Sequence, residues 1–455
     1  MAIESVVIES VVTGVKTQSI DIAFEDRIIK KAFRHLISFL FILFIFSYLD
    51  RINIGFAALA MNRELKLSST MYGLAITIFY IGYAFCEIPS NICLRRYGAR
   101  KWIARILITW GIASVATVFA VGPKSLYVVR FFVGVFEAGF LPGIILYLTY
   151  WFPPTYRARA TSLFMIAQPV TMIFGAPLSG LILDQTHGLL GLSGWRWLFV
   201  LEGLPAVLLG IVTYFYLSDG PKDAKWLSEA EKAALLARLE REQPAMATNA
   251  GWGAWRELIT RPVIFLSIAY FCVVEGLNGN AQWAPQIIGD VFRKYGFKFS
   301  TIGLLIAIPS VIALITMVLW GAHSDRKMER TWHVVLPVLL GSCGWLLCAL
   351  SAIPVVRLLG VAFCATGAFT GMSLFWTIPA RVLTPNARPV GIAFINMWGM
   401  VSAAVSPLIF GALRDRTHTW AASMVFVAFM MMVCAAFVAS VPAQETAKAT
   451  VAGAR

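Results

Sequence analysis

The stretch LISFLFILFIFSYLDRINIGFAALAM, residues 36–61, decides how this chain folds. It is longer than the roughly 20 apolar residues that cross a membrane as a helix, yet it contains Asp50 and Arg51. A charge at membrane depth costs from about 2.5 to more than about 10 kcal/mol, so such residues normally face a bundle interior or an aqueous path. Arg130 and Glu137 lie in a second apolar stretch. Two buried arginine–carboxylate pairs predict transport of an anion coupled to protons.

Composition indicates an integral membrane protein. Of its 455 residues, 59% are hydrophobic and only 14% are charged, against about 25% charged in soluble proteins. The apolar stretches predict an all-α polytopic membrane protein with twelve spans, both termini being cytoplasmic. The spans are expected near 34–58, 71–92, 102–121, 126–150, 160–183, 195–217, 261–287, 300–322, 333–352, 355–379, 389–412 and 420–442.

The orientation follows from the positive charges. With the N-terminus inside, the cytoplasmic loops and tails carry 26 of the 38 Lys and Arg residues, and the opposite side carries 10. Positive loops mark the cytoplasmic face. The net charge of +14 therefore reflects topology, and no folded basic domain supports binding of nucleic acid. Seven cysteines in or beside the spans show no metal-ligand spacing and are interpreted as apolar packing residues.

A long polar connection divides the chain into two halves. Ser228 and Glu231 fit a capping box, and the following residues predict an amphipathic helix on the cytoplasmic membrane face. The predicted organisation is a tail (1–30), a six-helix bundle (31–217), a linker (218–260), a second six-helix bundle (261–442) and a tail (443–455).

A faint repeat relates the two halves at a constant offset in residue number. Arg157 aligns with Arg388, and Arg95 aligns with Arg326 at the same offset. Two similar bundles with substrate near the midplane between them are a known transporter plan.

Several motifs together resemble the major facilitator superfamily, and within it the anion:cation symporters, which include bacterial tartrate, phthalate, hydroxyphenylacetate and sugar-acid permeases. The motifs are SYLDRINIGFAALAMNRELKLSSTMYG (47–73), PSNICLRRYGARKWIARI (89–106), RFFVGVFEAGFLPGIILYLTYWFP (130–153), RARA (157–160), GWRWLFVLEGLPAVLLG (194–210), LWGAHSDRKMERTWHV (319–334) and FWTIPARVL (375–383). The resemblance implies proton-driven uptake of a small carboxylate, with coupling by Asp50, Arg51, Arg130 and Glu137. One departure is Leu94, which replaces the aspartate of the usual gating motif, whereas the second-half copy keeps Asp325.

Arg51 and Arg130 are the candidates for binding the substrate, because a guanidinium pairs with a carboxylate through two hydrogen bonds. Glu137 and Asp50 are the candidates for carrying protons. Glu137 ranks first because no arginine adjoins it in sequence, so burial should govern its protonation. The alternative is that both pairs are salt bridges that only hold helices together.

Further polar and aromatic residues lie where a cavity is expected, although packing explains each almost as well. These candidates for substrate binding are Tyr48, Tyr83, Gln168, Ser373, Trp376, Thr377 and Asn396. An unusually polar seventh span adds Glu275, Asn278 and Gln282, for which we expect a role in specificity; the alternative is a hydrogen bond between helices. Gating is predicted for Arg95, Arg96, Arg100, Asp325 and Arg326, although topology alone explains the arginines.

The sequence thus predicts a transporter and not an enzyme. It imports a small organic anion with protons, with hydroxy- or dicarboxylates such as tartrate first and aromatic carboxylates second. The proton gradient supplies the energy, without cofactor or metal. The expected partners are the anion, protons and the lipid bilayer, and the expected state is a monomer in a bacterial inner membrane. The closest alternative is an exchanger or facilitator of the same fold. A membrane-embedded enzyme is less favoured, since no metalloprotease motif or nucleophile elbow is present. A non-transporting sensor is less favoured because the linker is too short for an effector domain.

Overall fold

The computed structural model describes residues 24–242, 258–384 and 387–441. Within them, all twelve predicted spans are helices, and there is no strand. The first six are α1 (Phe24–Glu64), α2 (Ser69–Tyr97), α3 (Ala99–Phe119), α4 (Pro123–Trp151), α5 (Pro154–Gln185) and α6 (Gly194–Tyr216). The second six are α7 (Arg261–Tyr295), α8 (Phe299–Lys327), α9 (Thr331–Leu350), α10 (Pro354–Phe375), α11 (Val390–Thr417) and α12 (Ala421–Ala439).

The helices pack as two bundles of six, which confirms the predicted fold class. In the N-terminal half, α1 packs on α5 and α6, α2 on α4, and α3 on α6. In the C-terminal half, α9 packs on α10 and α12, and α7 on α11 and α12. The two halves meet through α1 with α7, α2 with α11, and α5 with α8.

The halves touch on the side of the membrane opposite the positive loops, called here the outer side. Among the described residues, every hydrogen bond between the halves lies there, including Thr77 Oγ1 to Ala404 O at 2.6 Å and Asn62 Nδ2 to Gln286 Oε1 at 3.1 Å. The cytoplasmic part of α11 is open and exposes Asn396. With the predicted orientation, the protein faces inward.

Helix α4 is interrupted beside a candidate site residue. Its first segment ends at Glu137, and Gly139 follows with a φ of +84°, a left-handed conformation that favours glycine. The interruption precedes Pro142 of the second segment by three residues. Gly134, in the first segment, packs directly on α2, because a Cβ there would overlap the Phe79 carbonyl.

The linker helix (Glu229–Glu242) begins with the predicted capping box: Glu231 N donates to Ser228 Oγ at 3.2 Å, and Ser228 N donates to Glu231 Oε2 at 2.8 Å. It packs on the N-terminal half, where Lys31 Nζ lies 2.8 Å from Glu231 Oε2 and Arg241 Nη2 lies 3.0 Å from Glu25 Oε2. The hydrogen bond from Lys31 lowers the pKa of Glu231. The helix is thus fixed to one bundle by ion pairs.

The predicted domain boundaries fall partly outside the described residues. The predicted tail residues 1–23 and 443–455 and linker residues 243–257 are among those not described. The first helix begins at Phe24, earlier in the chain than the start predicted for the bundle at residue 31.

Candidate substrate and proton site

The centre of the N-terminal half contains an ion pair between Arg51 and Glu137. The Arg51 Nε lies 2.6 Å from Glu137 Oε1, and Ser47 Oγ donates to the same oxygen at 3.4 Å. The Glu137 side chain is fully buried, whereas that of Arg51 is 20% exposed. The second Glu137 oxygen has no hydrogen-bond partner among the described residues. Because the interruption of α4 follows Glu137 directly, this carboxylate lies at the end of a helical segment.

The Asp50 carboxylate is hydrogen-bonded to neutral residues and not to Arg51. Its carboxylate accepts hydrogen bonds from Trp110 Nε1 at 3.0 Å, from Ser114 Oγ and from Asn53 Nδ2 at 3.2 Å. All three donors are neutral, and two of them come from α3. The structure therefore corrects the expected pairing of Asp50 with Arg51.

Arg130 is buried without a carboxylate. It is 3% exposed, and its guanidinium lies over the Phe79 ring at 4.8 Å. No acidic oxygen among the described residues lies within 4.0 Å of it. The expected ion pair between Arg130 and Glu137 is therefore wrong. Glu137 forms its ion pair with Arg51, and Arg130 retains an unpaired positive charge. Arg51 lies over Tyr83, one helical turn after Phe79 on α2, so both arginines contact the same helix.

The polar and aromatic candidates predicted in the N-terminal half are Tyr48, Tyr83 and Gln168, and they differ in their contact with the Arg51–Glu137 ion pair. Tyr83 lies under the Arg51 guanidinium, 5.1 Å from the ring centroid. Tyr48 is buried and stacks edge-on against Phe44. Gln168 of α5 is half-buried. Of the three, Tyr83 is the one in direct contact with a charged group of the site.

Two candidates in the C-terminal half, Trp376 and Asn396, contact Tyr270, a residue that the sequence reasoning missed. Tyr270 Oη donates to Asn396 Oδ1 at 3.4 Å, and its ring lies 4.8 Å from that of Trp376. Ser373 and Thr377 flank Trp376, but their hydroxyls donate to carbonyls three residues earlier. Tyr270, Asn396 and Trp376 thus form an aromatic and amide cluster on the second half.

The polar residues of α7 separate into two places. Glu275 is 2% exposed and interacts with Ser406 of α11, inside the C-terminal half. Gln282 lies at the closed outer contact, where its backbone carbonyl accepts a hydrogen bond from Tyr72 Oη at 3.1 Å. Asn278 is half-buried between them. The three side chains make no hydrogen bond with one another, and the specificity role expected for them stays a prediction.

Glu202 is a buried carboxylate that the sequence reasoning missed. It is 1% exposed and accepts from Ser179 Oγ at 2.8 Å. It interacts also with Asn53, the amide that donates to Asp50. A charged residue within an apolar span was the signal that identified Asp50, and the same rule applies to Glu202.

The predicted gating residues make no ion pair between the halves among the described residues. Arg95, Arg96 and Arg326 are exposed. Asp325 pairs with Arg330, 2.5 Å away in the same half. Asp219, at the start of the linker, accepts from the backbone N–H of Arg100 at 2.8 Å. Since the cytoplasmic side is open, their gating role stays a prediction.

Two six-helix bundles that enclose buried charges and open to one side of a membrane define a polytopic membrane transporter. Residues 40–407 match the Major Facilitator Superfamily, and the chain belongs to this family. Its activity is accordingly transport and not enzymatic catalysis.

Relatives of known description agree with this class. The chain is 41% identical over 411 residues to an Agrobacterium vitis protein described as "Putative tartrate transporter", with 90% of each chain covered. It is 36% identical to the "Quinolone resistance transporter" of Acinetobacter baumannii, covering 90% of this chain and 93% of that one. It is 38% identical to the Pseudomonas putida "Putative metabolite transport protein NicT", covering 88% and 91%.

Solved structures share the fold. A bacterial homologue of the human lysosomal transporter Spinster superposes with a TM-score of 0.74 at 16% identity, covering 91% of this chain and 96% of that one. A D-xylose–proton symporter superposes with a TM-score of 0.69 at 18% identity, covering 90% and 97%.

Proposed function

We propose that this transporter imports a small hydroxy- or dicarboxylate together with protons, across a bacterial inner membrane and as a monomer. The observation that carries the proposal is the ion pair between Arg51 and Glu137, next to the unpaired charge of Arg130. The description of the Agrobacterium vitis relative supports tartrate as the first substrate to test.

The ion pair suggests how a proton and an anion are coupled. While Glu137 is charged, it occupies part of the Arg51 guanidinium and neutralises its charge. When Glu137 takes a proton, Arg51 becomes available to a substrate carboxylate, which it binds through two charge-assisted hydrogen bonds. Proton and anion then favour each other's binding, as linkage requires. The inward-facing structure, with the ion pair formed, corresponds to the state after both have been released.

Arg130 supports a substrate with a second acidic group. Its buried guanidinium has no acidic partner in the described chain, and leaving a buried charge unpaired is costly. A second substrate carboxylate would remove that cost. In the C-terminal half, Tyr270, Asn396 and Trp376 offer hydrogen-bonding and apolar surface to the rest of the substrate, and Glu275 is proposed to respond to its hydroxyl groups.

Uptake into proteoliposomes tests this function. The assay compares tartrate, succinate and benzoate with and without an inward proton gradient. Accumulation of tartrate that depends on the gradient supports symport, whereas counterflow without a response to the gradient favours an exchanger or facilitator. Because of the Acinetobacter baumannii relative, the panel includes a quinolone, and its extrusion in place of carboxylate uptake would overturn the proposal.

A matched pair of variants locates the coupling. Glu137→Gln should retain counterflow and lose accumulation driven by the gradient. Glu64→Gln also removes the acid of an arginine pair in the same half, since Arg196 lies 3.1 Å from Glu64, but this pair lies at the outer rim. It should therefore keep the response to the gradient.

A further inference from the structure

Two aspartates connect the halves at their outer ends. Asp184, near the end of α5, accepts hydrogen bonds from the backbone N–H groups of Phe299 at 3.2 Å and Ser300 at 2.7 Å. These groups belong to the first turn of α8. The first N–H groups of a helix have no partner within it, and the positive end of the helix dipole favours a carboxylate. Asp184 thus caps a helix of the opposite half.

Asp415, near the end of α11, makes the same contact in the reverse direction. It accepts from the backbone N–H groups of Ser69 at 3.0 Å and Thr70 at 2.7 Å, in the first turn of α2. The step in residue number from Asp184 to Asp415 equals the offset of the internal repeat. The two caps are therefore related by the symmetry between the halves.

Glycines hold the backbones close at both places. A Cβ on Gly180 would overlap the Phe299 carbonyl, and a Cβ on Gly411 would overlap the Ser69 carbonyl. Gly180 and Gly411 are also related by the offset of the repeat. Each aspartate lies four residues after its glycine, so it is one turn further along the same helix face. The glycine sets the approach of the helices, and the aspartate fixes it with hydrogen bonds.

We propose that Asp184 and Asp415 form a paired latch that keeps the outer gate shut in the inward-facing state. Both contacts cross between the halves, so both must break before the outer side can open. The latch requires alternating access, but it depends on neither tartrate nor proton coupling.

The two members of the latch differ in strength. Helix α2 has a cap of its own, because Met71 N donates to Ser68 Oγ at 3.2 Å. Helix α8 begins after Lys298 and has no side-chain cap from its own chain segment. Loss of Asp184 should therefore favour the outward-facing state more than loss of Asp415.

Labelling from outside measures the opening of the gate. Ala281→Cys places a thiol at a buried position of α7 whose carbonyl faces Gly55 of α1 across the interface. A membrane-impermeant maleimide should reach it only when the outer side opens. Because loss of an N-cap weakens the contact that holds the gate shut, Asp184→Ala should accelerate labelling about tenfold. Asp415→Ala should have a smaller effect, and the double variant should multiply the two, since distant sites act additively.

Controls separate the latch from general loosening. Asp184→Asn and Asp415→Asn should label more slowly than the alanine variants, because asparagine also caps helices well. If the alanine double variant does not fold, the order of parent, asparagine and single alanine variants decides the question. Asp290→Ala removes an aspartate that accepts from Trp420 at 2.7 Å within the C-terminal half, and its labelling should equal that of the parent.

Two results would overturn the latch. One is unchanged labelling in the folded aspartate variants, and the other is equal acceleration by Asp290→Ala. Accelerated labelling in a protein that takes up no carboxylate would instead leave the latch in place and reject the proposed function.

Discussion

Replacing Glu137 with glutamine keeps the shape of the side chain and removes its charge. In the inward-facing structure the parent carboxylate lies 2.6 Å from the Arg51 Nε, so an incoming anion competes with it. The glutamine corresponds to the protonated carboxylate. The variant should therefore bind substrate at every pH as the parent does when Glu137 carries a proton.

The size of the effect follows from the bond that the anion must displace. A hydrogen bond to a charged group contributes about 1.5–3 kcal/mol, and each 1.4 kcal/mol is about tenfold in affinity. At a pH where Glu137 is charged, Glu137→Gln should bind the anion roughly 10- to 100-fold more tightly than the parent. At a pH where the parent Glu137 carries a proton, the two proteins should bind alike.

Titration of the detergent-solubilised protein with tartrate at pH 6 and pH 8 measures this difference. The dissociation constant of the parent should rise with pH, and that of Glu137→Gln should not. Glu64→Gln serves as the control and should follow the parent. A dissociation constant of Glu137→Gln that rises with pH as steeply as that of the parent would refute the assignment of the coupling proton to Glu137.

Three further outcomes are expected. Arg130→Lys keeps the charge but loses the planar fork, so the KM for tartrate should rise more than that for benzoate in uptake assays; equal changes would argue against a second carboxylate at Arg130. Glu202→Ala leaves Ser179 without its partner and should lower stability by about 1–3 kcal/mol, seen as a lower Tm than that of Glu202→Gln. Because the pKa of Glu231 is lowered from its ordinary 4.5, its stabilisation of the linker helix is present above that value and lost as the pH falls through the lowered pKa. Hydrogen exchange of residues 229–242, corrected for intrinsic rates, should increase there in the parent, and the increase should be smaller in Glu231→Gln.

The fold could be predicted from the sequence because membrane helices are specified by length and hydropathy. Each predicted span matches a helix, and even the capping box at Ser228 and Glu231 is present. These features are local, so they can be read from neighbouring residues. The internal repeat was also visible in the sequence, and Asp184 and Asp415 are separated by the same offset.

The pairing of charges could not be read in the same way. Consecutive helical residues point in different directions, so Asp50 turns to α3 while Arg51 reaches α4. Residues seven apart share a face but are about 10 Å apart along the helix axis, which is beyond the three- and four-residue spacings at which side chains on one helix usually meet. Which neighbouring helix supplies the partner depends on the packing of the bundle, and hydropathy does not encode it.

The linker helix offers an attachment point that is fixed to the N-terminal bundle alone. Its ion pairs are made with Lys31 and Glu25, near the start of α1, so a tag or antibody fragment attached to its exposed face would move with the N-terminal bundle. If the protein were immobilised on a surface through this helix, the C-terminal bundle could still move relative to the N-terminal bundle. A fluorophore on α9 or α12 would then report this movement in single molecules.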